Sequence, residues 1–88
     1  MSERDEVYAA LTAERDYQDG RWDATHTSTC GRHSVTEFLV FIEDYVSEAK
    51  HHLSRNGEPG ASEFALHSMR KIGALAVACM EQHGAKRR

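Results

Sequence analysis

Two long stretches with the apolar spacing of helices stand on either side of one compact breaker, Arg55-Asn-Gly-Glu-Pro-Gly60, and no other feature constrains the chain as much. The upstream stretch opens on Ser34-Val-Thr-Glu37, a capping box in which the Ser hydroxyl and the Glu carboxylate each satisfy a backbone N–H. At 100° per residue, Val35, Phe38, Ile42, Tyr45, Val46, Ala49 and Leu53 share one stripe, which predicts a helix over about 35–54. The downstream stretch predicts a helix over about 62–83, with Gly84 as a left-handed terminator. A break this short leaves the two helices little choice but an antiparallel hairpin.

The third helix carries an unusually wide apolar sector, built from Phe64, Ala65, Leu66, Met69, Ile72, Leu75, Ala76, Val77, Cys79 and Met80. A helix so apolar is buried on two sides. In a chain of 88 residues the second side is expected to meet another protomer, so homo-oligomerisation should complete the fold. A first helix is expected over about 3–18, capped by Ser2 with Asp5 and stopped by Gly20. Val7, Ala10, Leu11 and Tyr17 give it an apolar face, but Glu14 and Gln18 interrupt that face and leave it weakly amphipathic. Residues 20–33 are rich in Ser, Thr and Gly and read as a long loop, a kind of segment that is often functional. With one proline and no alternating β-branched runs, the expected class is all-α: three helices in a single domain over 1–88.

Size and charge narrow the function. A chain this short buries only ~60–65% of its unfolded surface and is marginally stable alone. Two cysteines, Cys30 and Cys79, are too few for a disulfide framework and favour a reduced, cytoplasmic setting. The charged start of the chain is unlike a signal peptide, and the apolar run Ile72 to Met80 falls short of the ~18 residues of a membrane span. A net charge of −3 argues against binding a nucleic-acid polymer, despite the basic end Lys86-Arg87-Arg88.

Several groups of residues carry possible chemistry. His26, Cys30 and His33 have spacings found among zinc ligands, with Asp23 nearby, but no second Cys/His pair closes the set, and capping or hydrogen-bonding roles explain the histidines better. Glu37, Asp44 and Glu48 line one edge of the second helix, where they are either the rim of a helix interface or hard oxygen ligands for Mg²⁺. On the third helix His67, Arg70 and Lys71 are helical neighbours. Arg70 and Lys71 suit phosphate, or else pair with the acids of the second helix across the hairpin. Tyr17, Arg21 and Trp22 offer flat rings and a fork for a base and a phosphate, although a Trp here also serves to plug the end of a hairpin.

The segments Glu-Arg-Asp-Tyr-Gln-Asp-Gly-Arg-Trp (14–22) and Arg-Lys-Ile-Gly-Ala-Leu-Ala-Val-Ala-Cys-Met-Glu-Gln-His-Gly (70–84) resemble small proteins of tailed phages and prophages. The hairpin itself is similar to that of MazG-like all-α nucleoside triphosphate pyrophosphohydrolases, which hold Mg²⁺ with Glu-Glu-x-x-Glu on one helix and Glu-x-x-Asp on the next. Asp44 and Glu48 match the outer acids of the first motif, but Tyr45 replaces its central Glu. The matching stretch of the third helix, His67-Ser-Met-Arg70, has no carboxylate at either end. Cations in place of carboxylates keep phosphate affinity and lose the metal that drives hydrolysis. The resemblance therefore implies a non-catalytic, homo-oligomeric protein of the host bacterial cytoplasm that sequesters an anionic nucleotide-like ligand, such as a defence signal. His67, Arg70 and Lys71 would take the phosphate, and Tyr17, Arg21 and Trp22 the base. Two alternatives stand beside it: an Mg²⁺-dependent hydrolase using Glu37, Asp44 and Glu48, and a protein inhibitor of a host defence enzyme.

Overall fold

In the computed structural model the described residues are 2–25, 32–54 and 59–88, with the side chains of residues 22–25 excepted. They form three helices: α1 (Glu3–Thr25), α2 (Val35–Leu53) and α3 (Ala61–His83).

The boundaries of α2 follow from local chemistry. Glu37 N–H donates to Ser34 Oγ at 3.0 Å while Ser34 N–H donates to Glu37 Oε1 at 2.9 Å, which completes the capping box. Gly60 (φ 84°) and Gly84 (φ 99°) bracket α3 in conformations that disfavour a Cβ.

α2 and α3 pack extensively and run antiparallel. At one end the His83 ring meets Phe38, and at the other His52 stacks on Phe64 with centroids 3.8 Å apart. Between them Phe38, Leu75 and Ala78 form a small core, flanked by Phe41, Ile42, Tyr45 and Cys79. Phe38 is fully buried and is the largest such side chain among the described residues.

Two expectations need correcting. The first helix does not stop near Gln18: α1 continues through Gly20 to Thr25, so residues 20–25 are helix and not loop. Glycine costs a helix only ~1 kcal/mol relative to alanine and ends one only when the chain uses its positive φ. Here side-chain pairs reach toward and across the glycine: Arg15 to Asp19 at 2.6 Å, and Arg21 Nη1 donating to Tyr17 Oη at 3.4 Å.

The second correction concerns α3. Part of its second side meets α1 of the same chain, which packs on α3 and makes no comparable contact with α2, while Leu66, Met69 and Met80 of the apolar sector stay exposed. Leu11 lies so close to Gly73 that a Cβ there would sit 2.5 Å from Leu11 Cδ2. Glu14 and Arg15, adjacent in sequence, reach Arg70 and Glu81, which are separated by roughly 16 Å along the α3 axis at 1.5 Å per residue. So α1 lies across α3 rather than along it. That geometry explains how a weakly amphipathic helix docks: it needs one small apolar contact and two ion pairs, not a continuous stripe.

Candidate functional site

Because α1 crosses α3 without meeting α2, a groove opens between the second half of α1 and one edge of α2, with α3 as its floor. Its volume is about 900 Å³, at the upper end of the range for small-molecule sites. Glu14, Tyr17, Gln18 and Arg21 form the α1 wall. Glu37, Phe41, Asp44, Tyr45 and Glu48 form the α2 wall, Lys71 and Leu75 lie on the floor, and Arg32 and His33 stand at one end.

The walls differ in charge. The α2 wall carries the acidic row at i, i+7 and i+11, which one helix face aligns. The α1 wall, the floor and the end supply Arg21, Lys71 and Arg32. Glu14 adds a negative charge on the α1 side, but it accepts a hydrogen bond from Arg70 Nε at 2.8 Å, which offsets it. Lys71 makes no ion pair among the described residues, and its ammonium lies over the Tyr45 ring, 5.6 Å from the centroid. A half-buried ammonium against a ring face keeps part of its interaction through the ring quadrupole and retains its donors for an anion.

Aromatic surface is available on both walls. Tyr17 is largely exposed and is held against Arg21, whose guanidinium carbon stands 6.0 Å from the ring centroid. The Tyr17 hydroxyl, followed by the charge interaction with the same group, raises the Arg21 pKa. Phe41 and Tyr45 face the groove from α2, and His33 meets Phe41 edge-on at 5.0 Å. His33 is positioned by its backbone: its N–H donates to Gln82 Oε1 at 3.0 Å, and its carbonyl accepts from His83 Nε2 at 2.7 Å. Gln18 Oε1 is buried without a hydrogen-bond partner among the described residues. An orphaned acceptor of this kind costs ~1–3 kcal/mol, so the site carries a local penalty that a neighbouring donor would relieve.

The residues expected to act together are thus divided. Tyr17, Arg21 and Lys71 line the groove; Arg70 and His67 do not. Arg70 instead pairs with Glu14 and donates from Nη1 to His67 Nδ1 at 2.6 Å, a bond that requires the ring nitrogen to be an acceptor. Its acidic partner belongs to α1, not to α2 as the hairpin alone suggested. Trp22 is helical in its backbone, while its side chain, like that of Asp23, lies outside the described residues, as do His26 and Cys30. Sequence reasoning missed Gln18, Arg32, Phe41 and Tyr45 as groove residues. Phe41 lies off the main apolar stripe of α2 on the acidic side, and that offset was the one available signal.

Glu37, Asp44 and Glu48 share the groove without converging. Among the described residues no group of three or more His, Cys, Asp or Glu is arranged to hold a metal ion. The spacing gives the reason: the first and second acids are ~10 Å apart along the helix, and Glu37 is engaged by its own capping box. No described helix is long and apolar enough to cross a membrane. In comparisons with known proteins, no family model, no curated protein and no solved structure matches this chain.

Proposed function

We propose that the protein sequesters an anionic nucleotide-like ligand in the groove between α1 and α2, without transforming it. The observation that carries this reading is the mixed lining of the groove: Arg21 on the α1 wall and Lys71 on the floor stand opposite a row of carboxylates on α2, with aromatic rings on both walls. A nucleotide has both complements. Its phosphates suit an ammonium and a guanidinium fork. Its amino and hydroxyl donors suit carboxylates, and its base stacks on rings such as Tyr17. A simple anion would be repelled by the acidic wall, and a simple cation by the floor.

Arg70 takes a supporting part, holding Glu14 and hence the α1 wall. Homo-oligomerisation belongs to the same proposal, as does the role that the resemblance to phage proteins implies, a trap for a host signalling nucleotide. The dispersal of Glu37, Asp44 and Glu48 favours binding over Mg²⁺-dependent hydrolysis.

The test is to incubate the protein with linear and cyclic nucleotides plus Mg²⁺ and assay them before and after denaturing it. Depletion followed by recovery of the intact compound is expected. A new product would establish catalysis instead, and nucleotides neither bound nor changed would remove the reading. Lys71→Glu should weaken capture at least 100-fold while circular dichroism stays unchanged; undiminished affinity would remove Lys71 from the site.

A further inference from the structure

The hairpin has a second face, turned away from the groove, and it is apolar. On α2, Val35, Leu39, Ile42, Val46, Ala49 and Leu53 follow a spacing of 4, 3, 4, 3 and 4, the heptad pattern of a helix seam. On α3, Ala65, Met69, Ile72, Ala76 and Cys79 repeat it with 4, 3, 4 and 3. At 100° per residue Leu39 lies 140° from Asp44, and Met69 lies 160° from Lys71, so both seams point away from the groove. In an antiparallel pair the two seams fall on the same side. Leu39 is 60% exposed and Met69 62%, while Val35, Val46, Leu53 and Met80 are also exposed.

The chain as a whole is more open than a folded monomer. It exposes 6824 Å², whereas a folded chain of its 9.9 kDa exposes about 5,200 Å² by the usual scaling. Its radius of gyration is 14.5 Å against about 12 Å for a compact chain of this length.

We infer that the Leu39/Val46/Met69 face is where a second copy of this chain docks, about a two-fold axis passing near Val46 and Ile72. This specifies the oligomerisation included in the proposed function but does not depend on the groove binding a nucleotide. Ile72 is the midpoint of the α3 seam, and Val46 lies just past the middle of the α2 seam, midway between Leu39 and Leu53. The contacts of Phe38 with His83 and of His52 with Phe64 place them at about the same level of the hairpin.

Charge supplies the register. Glu43 and Lys50 lie on the outer margin of the α2 seam, one heptad apart, and neither makes an ion pair among the described residues. A two-fold axis between them brings each Glu43 opposite the partner subunit's Lys50, twice per dimer, and sets Leu39 toward the partner subunit's Leu53. On α3 the exposed apolar side chains are Leu66, Met69 and Met80, while the exposed acids Glu63 and Glu81 lie 120° from Met69 around the helix, off the seam. The result is an antiparallel four-helix layer closed by symmetry.

Sedimentation equilibrium of the full chain across micromolar concentrations tests this. A dimer is expected. Leu39→Glu should give a monomer that keeps its helical circular dichroism, since Leu39 is mostly exposed and lies outside the core cluster of its own chain. Glu43→Lys and Lys50→Glu should each raise the dimer Kd about tenfold, and the double variant should restore it because exchanged charges still face each other. Lys71→Glu, on the opposite side, should leave the dimer intact. A monomer throughout the concentration range, a dimer indifferent to Leu39→Glu, or a double variant as weak as the singles would overturn the inference.

Discussion

The α2/α3 hairpin and α1 are held by different physics. The hairpin is joined by buried apolar surface around Phe38, Leu75 and Ala78, with both ends of α2 and the C-terminal end of α3 closed by cap hydrogen bonds. Among its described side chains α1 has no buried residue: Val7, Tyr8 and Tyr17 are exposed, and its described contacts with α3 include Leu11 over Gly73 and the pairs Arg15–Glu81 and Glu14–Arg70. One part is a scaffold and the other an attachment. The groove therefore has one wall, α2, built into the core and another, α1, held by few buried contacts, the kind of region that opens at lower cost.

The sharpest way to test that contrast is to damage the scaffold. Phe38→Ala should destabilise the chain by ~3–5 kcal/mol, a large share of the ~5–15 kcal/mol typical of a whole domain. Chemical denaturation is expected to show loss of the entire cooperative transition, α1 included. A variant that lost only α1 structure would reverse the assignment of roles.

Acting on the caps should give an intermediate effect. Ser34→Ala removes one half of the capping box, at about 1 kcal/mol. Acid acts on the other half. The Glu37 carboxyl is held below the ordinary carboxylate range, chiefly by the Ser34 backbone N–H it accepts, with desolvation opposing and the Ser34 hydroxyl and His33 adding to the depression. Because its pKa is lower folded than unfolded, its contribution is complete above the ordinary carboxylate pKa and is lost as pH falls through the folded one. Amide protection at the start of α2, relative to the intrinsic exchange rate at each pH, should therefore fall below the carboxylate range in the native chain, and Glu37→Gln should remove that acid step.

α1 should respond to changes that leave the hairpin indifferent. Arg15→Ala breaks pairs whose acids are about half exposed, so its cost is at most ~1 kcal/mol. Amide protection of α1 is expected to fall, and to fall further in high salt, while that of α2 holds. Equal loss in both would mean the two regions form one unit. The smallest effect is a gain: Gly20→Ala meets nothing within 4 Å and should stabilise α1 by ~0.5–1 kcal/mol. The same change at Gly73 must displace Leu11, so its helix-propensity gain is offset.

The hairpin was legible because its signals are local. A capping box, a 3.6-residue period and a turn of Asn, Gly and Pro act within a few residues and leave little for distant contacts to revise. The end of α1 was misread for a related reason: Gly20 is a breaker only where the backbone takes a positive φ, and the side chains around it favour helix instead. The groove was half legible. Tyr17, Arg21 and Lys71 stood out by residue type, but Arg70 looked equally suited to phosphate and is occupied by Glu14. Nothing in the spacing of two residues 56 positions apart announces such a pair.

By itself, then, the sequence determined the helical class, the α2 and α3 termini and the acidic edge of α2, all of which follow from interactions between near neighbours. Only the tertiary structure decided that α1 packs on part of the second side of α3, that it does so crosswise, and that a groove opens beside it. Those outcomes rest on one close approach over Gly73 and on ion pairs between distant helices. Their energies are comparable to those of many alternatives, and the pattern along the chain does not choose among them.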